Sequence, residues 1–178
     1  VDYPNEFKDG RKGNDRIKIC EDTNGDGRAD KFTIFADGFN ITTSMTFSRG
    51  GIILAHAPDF YFLKDTDGDD KADVREVLTT GGGIGDTHAG PSNLRYGFDN
   101  WIWGSVGYSS FNGTVGGEQK RFGSGVFRMK PDGSQLEFLH QFNNKARCVR
   151  SERATFFIGS MRDRIARVHH RSKNRPAQ

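Results

Sequence analysis

A chain of 178 residues is long enough for one hydrophobic core, and nothing in it marks a second. With 23 glycines, 12% aromatic residues and no long stretch of Ala, Leu, Glu and Lys, its composition excludes a helical bundle. The net charge of +3 hides a split: residues 1–144 carry 16 Lys and Arg against 21 Asp and Glu, a net of −5, whereas residues 145–178 carry 10 against 2, a net of +8.

The chain opens on Val1-Asp2-Tyr3-Pro4, without an initiator Met, a visible signal peptide or a membrane-spanning run, and reads as a fragment of a longer protein. Its first informative segment is Asp22-Thr23-Asn24-Gly25-Asp26-Gly27-Arg28-Ala29-Asp30, followed by the strand-like run Lys31-Phe32-Thr33-Ile34-Phe35. Strands are expected at 43–48 and 51–57, then at Phe60-Tyr61-Phe62-Leu63-Lys64. Next comes Asp65-Thr66-Asp67-Gly68-Asp69-Asp70-Lys71-Ala72-Asp73, which repeats the earlier nonamer at six of nine positions, 43 residues on. Val74-Arg75-Glu76-Val77-Leu78 follows as a strand, and the Gly-rich stretch from Gly81 to Pro91 leads into strands at 93–97 and 100–106. Two further strands at 125–130 and 135–141 are joined by the turn Pro131-Asp132-Gly133-Ser134.

An EF-hand would set the acidic loops between amphipathic helices; here β-rich runs flank them, so they are hairpin tips. Self-similarity at about 40–45 residues is the spacing of propeller blades. The predicted fold is all-β, an incomplete β-propeller of about three to four blades over residues 1–144. Residues 145–178 form a basic tail that is either poorly ordered or read out of frame after Asn143-Asn144. The sudden loss of the blade pattern favours the shifted frame, and no nucleic-acid partner is expected from its arginines. Cys20 and Cys148 leave a disulfide open, and the sequence holds neither a Cys-x-x-Cys-His haem motif nor zinc spacing.

Carboxylates at alternate positions around a glycine suit a hard cation. The predicted calcium ligands are Asp22, Asn24, Asp26 and Asp30 in the first loop, and Asp65, Asp67, Asp69 and Asp73 in the second. The sixth position is Gly27 in one and Asp70 in the other, and only the second offers a carboxylate, Glu76, at the twelfth. Asp-Gly pairs also make ordinary hairpin turns, but two copies with the same acidic spacing favour a structural ion. Elsewhere, the Gly81–Gly85 run delivers Asp86 and His88 to the start of a strand. A neutral imidazole there is a candidate general base, with Asp86 either orienting it or capping the turn.

The segments Asp65-Thr66-Asp67-Gly68-Asp69 and Gly85-Asp86-Thr87-His88-Ala89-Gly90-Pro91, continuing to Trp101-Ile102-Trp103-Gly104, resemble the propeller of bacterial "membrane-bound dehydrogenase" domain proteins. These are relatives of the soluble glucose and aldose sugar dehydrogenases that use pyrroloquinoline quinone (PQQ). The resemblance covers about residues 14–144. It implies calcium and PQQ as cofactors, a sugar or alcohol substrate, a periplasmic or secreted bacterial setting and a c-type cytochrome domain in the longer chain. It also implies His88 as the base that takes the hydroxyl proton while hydride passes to the quinone. Thr87 is inserted between Asp86 and His88 relative to that family, and the quinone-binding Arg and Lys positions have no match in this sequence. A non-catalytic, calcium-stiffened propeller that acts as a binding or scaffolding module is the alternative. A calcium-dependent lactonase would need carboxylates converging on a channel, which the sequence does not place.

Overall fold

The computed structural model describes residues 13–86 and 89–141. These contain twelve β-strands and no helix. The strands are β1 (Asp15–Glu21), β2 (Lys31–Phe39), β3 (Thr42–Ser48), β4 (Gly51–His56), β5 (Asp59–Lys64), β6 (Val74–Thr80), β7 (Ser92–Tyr96), β8 (Ile102–Val106), β9 (Phe111–Val115), β10 (Glu118–Phe122), β11 (Gly125–Met129) and β12 (Leu136–Gln141). All pairings are antiparallel, as short strands joined by tight turns require.

β3–β4–β5–β6 form a four-stranded meander, and β7–β8–β11–β12 form a second sheet of four. β1–β2 and β9–β10 are two-stranded hairpins, the latter inserted between β8 and β11. This insertion is absent from the sequence-based strand assignments, yet its signal is present. Phe111-Asn112-Gly113-Thr114-Val115 and Glu118-Gln119-Lys120-Arg121-Phe122 flank Gly116-Gly117, whose φ angles of 58° and 83° demand the left-handed region.

The sheets stack face to face in chain order. β4 explains why: Ile52 through His56 are all buried, so both faces of this strand are covered. Ile52 and Leu54, with Leu63 of β5, pack against Ile17 and Phe39 of the first hairpin. Ile53 and Ala55, with Phe60 and Phe62, point the other way and meet Leu94, Ile102, Phe127 and Met129 of the second sheet. Strict alternation along a strand puts neighbouring residues into separate cores. Each fully buried large side chain contributes about 1.5–3 kcal/mol. The edge-on pair of Phe60 and Phe127, 5.9 Å between centroids, adds about 0.5–1.5 kcal/mol.

The first strands of the two sheets lie side by side. Leu94 donates its amide to Ser44 Oγ at 2.9 Å, and Thr43 Oγ1 donates to the Pro91 carbonyl at 2.5 Å. Farther out, the Ala72 amide donates to the Phe35 carbonyl at 2.9 Å and Arg75 Nη1 to the Asp37 carbonyl at 3.1 Å, tying the second acidic loop and β6 to β2. Cys20 is a free thiol. His88, Cys148 and the basic segment 145–178 lie outside the described residues.

Candidate functional site

Both acidic loops cap hairpins, 22–30 between β1 and β2 and 65–73 between β5 and β6. Their internal hydrogen bonds match position for position. Asp22 accepts the amides of Gly25 (2.7 Å) and Gly27 (2.8 Å); Asp65 accepts those of Gly68 (2.7 Å) and Asp70 (3.0 Å). Asn24 accepts the Asp26 amide, and Asp67 accepts the Asp69 amide. Asp26 and Asp69 accept the amides of Arg28 and Lys71, both at 2.8 Å. At the closing end, Asp30 takes the amide and hydroxyl of Thr23, and Asp73 those of Thr66. These bonds, the backbone amide first, hold the Asp30 and Asp73 carboxyls below the ordinary carboxylate range. Both loops therefore keep their terminal carboxylates ionised.

The chain reverses at equivalent points. Gly25 and Gly68 have φ of 79° and 86°; Gly27 has 87°, and its counterpart Asp70 accepts 66°. Asp tolerates this region because its short side chain bonds locally.

The loops diverge in charge. Carboxylate oxygens of Asp65, Asp67 and Asp73 lie within 4.8 Å of one another, the one such acidic group among the described residues. Oxygens on opposite sides of a calcium ion bound at about 2.4 Å stand up to about 4.8 Å apart, so this spacing suits calcium. Asp69, the remaining predicted ligand of this loop, instead pairs with Lys71 Nζ at 3.1 Å. In the first loop Asn24 stands where the second has Asp67, which removes a charge from among the aligned side chains.

The Gly-rich connection to β7 is held from the next turn of chain. Ser109 Oγ donates to the Asp86 carbonyl at 2.6 Å, the Asp86 amide donates to Ser109 Oγ at 3.2 Å, and Tyr108 Oη donates to the Asp86 carboxylate at 2.5 Å. That bond raises the Tyr108 phenol above its usual range. Sequence reasoning missed Tyr108 and Ser109 because they contact Asp86 only through the packing of the β8–β9 connection. The Ala89 amide donates to the Asp86 carbonyl at 3.3 Å. Asp86 thus accepts two hydroxyls and an amide; Thr87 and His88 are outside the described residues.

The family model described as "Domain of unknown function (DUF7133)" matches residues 1–175. No curated protein matches, and no solved structure does.

Proposed function

The chain belongs to the DUF7133 family, and we propose that this segment is part of a β-propeller whose outer hairpins are tied by calcium. The observation that carries the reading is the duplication of one hydrogen-bonded acidic loop at the tips of β1–β2 and β5–β6, with Asp65, Asp67 and Asp73 converging in the second. Successive sheets stacked in chain order, first strands together, support the propeller. Asp65, Asp67 and Asp73 would hold the ion, with Asp22, Asn24, Asp26 and Asp30 offering the weaker site. Calcium would neutralise the clustered charge and stiffen the tip. Calorimetric titration of chelator-stripped protein tests this: heat of binding and a raised thermal midpoint are expected, and neither appears if the loops are ordinary turns.

For the longer protein, a second reading rests on the resemblance and on the anchoring of Asp86 by Tyr108 and Ser109. The propeller would belong to a PQQ-dependent sugar or alcohol dehydrogenase of the bacterial periplasm, or a secreted one, in which His88 accepts the substrate proton. PQQ would supply the hydride acceptor. Within this chain, Tyr108 and Ser109 set the position of Asp86, and Gly81 and Gly83 let the run pack against Gly113 and the Ser109 carbonyl. A c-type cytochrome domain would accept the electrons. The test is reconstitution of the complete protein with PQQ and calcium, followed by dye reduction with aldoses and alcohols. His88→Ala should lower turnover by about two orders of magnitude or more. Unchanged turnover, or no quinone binding, would leave the calcium-stiffened propeller as a binding or scaffolding module.

A further inference from the structure

The two faces of the sheet β3–β6 are covered unequally. One face meets a sheet of four strands, and its residues Ile53, Ala55, Phe60 and Phe62 are almost wholly buried. The other face meets the hairpin β1–β2, which protects Leu54 and Leu63 and touches β3 at Thr42, whose amide donates to Asp15 Oδ2 at 2.8 Å, but does not cover Phe47. Phe47 of β3, which pairs across the strands with Ile52 on that same face, is left 56% exposed. A groove of about 610 Å³ opens there, lined by Ile17, Ile19, Phe35, Phe47, Ile52 and Tyr96. It is the uncovered continuation of the interface already formed by Ile17 and Phe39 with Ile52, Leu54 and Leu63.

The internal repeat says what fits it. The 43-residue offset carries β1 onto β5 and β2 onto β6, acidic loop included. In the complete sheet, the edge of β5 away from β6 is taken by β4, and β4 in turn by β3. Among the described residues, β1 pairs with β2 alone, so the edge from Arg16 to Glu21 has no second strand. Such an edge presents a row of backbone donors and acceptors beside an apolar groove, which is the template for strand addition.

We propose that the β1 edge and the groove beside Phe47 accept an antiparallel β-hairpin with the character of β3–β4, completing a four-stranded sheet. Its first strand away from β1 would cover Phe47, and its strand beside β1 would repeat the apolar alternation of Ile52-Ile53-Leu54-Ala55. This does not require the sheets to close into a ring, nor calcium in the loops.

The test uses the full chain carrying a second copy of residues 41–57 at its N-terminus, through a Gly/Ser linker of about 20 residues that reaches roughly 25 Å. Tethering offsets the marginal stability of an isolated hairpin. Amide exchange of Arg16 to Glu21 should slow by at least about tenfold relative to the parent chain. Phe47→Asp in the native β3 of the fusion, at an exposed position that folding tolerates, should restore the parent rate. A fusion with residues 41–57 in shuffled order should exchange like the parent. Equal rates in fusion and parent, or equal protection by the shuffled hairpin, overturn the proposal. So does concentration-dependent protection of β1 in the unfused chain that Phe47→Asp abolishes, because the groove then binds a second copy.

Discussion

The hairpins β1–β2 and β5–β6 are near-copies in sequence and in loop geometry, yet they live in different surroundings. Position for position along the first strand, Ile17, Lys18, Ile19 and Cys20 correspond to Phe60, Tyr61, Phe62 and Leu63. β5 has neighbours on both edges and a packed sheet on both faces, so Leu63 is fully buried while Cys20 is not. At the tips, the second loop is tied to β2 through Ala72 and reached by Lys31 at 3.9 Å from Asp70, whereas every residue from 22 to 30 is exposed. A shared local motif thus sets the turn, and the neighbours set how much energy rides on it.

The largest expected contrast is in the strands. Leu63→Ala should cost about 2–5 kcal/mol by opening a cavity between two packed faces. Cys20→Ala, at the equivalent half-buried position, should cost under about 0.5 kcal/mol. Urea denaturation of the two variants would measure this, and equal losses would mean that β1 is as enclosed as β5.

The loops come next. Saturating calcium at 100 times the dissociation constant of the second loop should stabilise the chain by about 2.7 kcal/mol. Asp67→Asn should weaken that site toward the first, and Asn24→Asp should strengthen the first toward the second, by about tenfold each if one carboxylate is the deciding difference. Calorimetric titration of the two variants reads both changes. Affinities that do not move with either substitution would place the difference in the loops' packing.

Acid should also separate the hairpins. His56 lies on the face of β4 toward the first hairpin, edge-on to Phe39 at 5.5 Å and stacked on Tyr61 at 5.4 Å. Its Nδ1 stands 2.5 Å from the Asn40 carbonyl and so donates there, while its buried Nε2 has no partner among the described residues. Burial pushes this imidazole below its ordinary value, with the Asn40 carbonyl acting in the opposite direction. The folded state therefore resists the proton that the unfolded chain accepts. The stability from neutral His56 is complete above about pH 6.5 and declines as the pH falls through the folded value. Hydrogen exchange should show β1–β2 loosening before β5–β6 over that range, and His56→Phe should remove the difference. Identical acid profiles for the two hairpins would refute the assignment.

The smallest effect lies at the sixth loop position. Asp70→Gly removes the cost of a left-handed Asp and gives up a long, exposed contact with Lys31, for a net gain of up to about 1 kcal/mol. Gly27→Asp in the first loop should cost a similar amount. Thermal melts of the calcium-free variants would show whether the two turns are interchangeable.

Most of the strands were legible in the sequence because their signals are local. Alternating aromatic and branched runs bounded by Asp and Gly marked β2 to β8, β11 and β12, and the repeated nonamer marked both hairpin tips with their acidic side chains. The all-β class followed from the same residues. Three matters depended on tertiary structure. Whether Ile52 and Ile53 entered one core or two depended on what lay on each side of the sheet, since alternation assigns faces but not what covers them. The convergence of Asp65, Asp67 and Asp73, and the diversion of Asp69 to Lys71, depended on loop coordinates that identical spacing leaves open. The hold of Tyr108 and Ser109 on Asp86 joins residues more than twenty apart, and no periodicity encodes a contact made by two loops meeting in space.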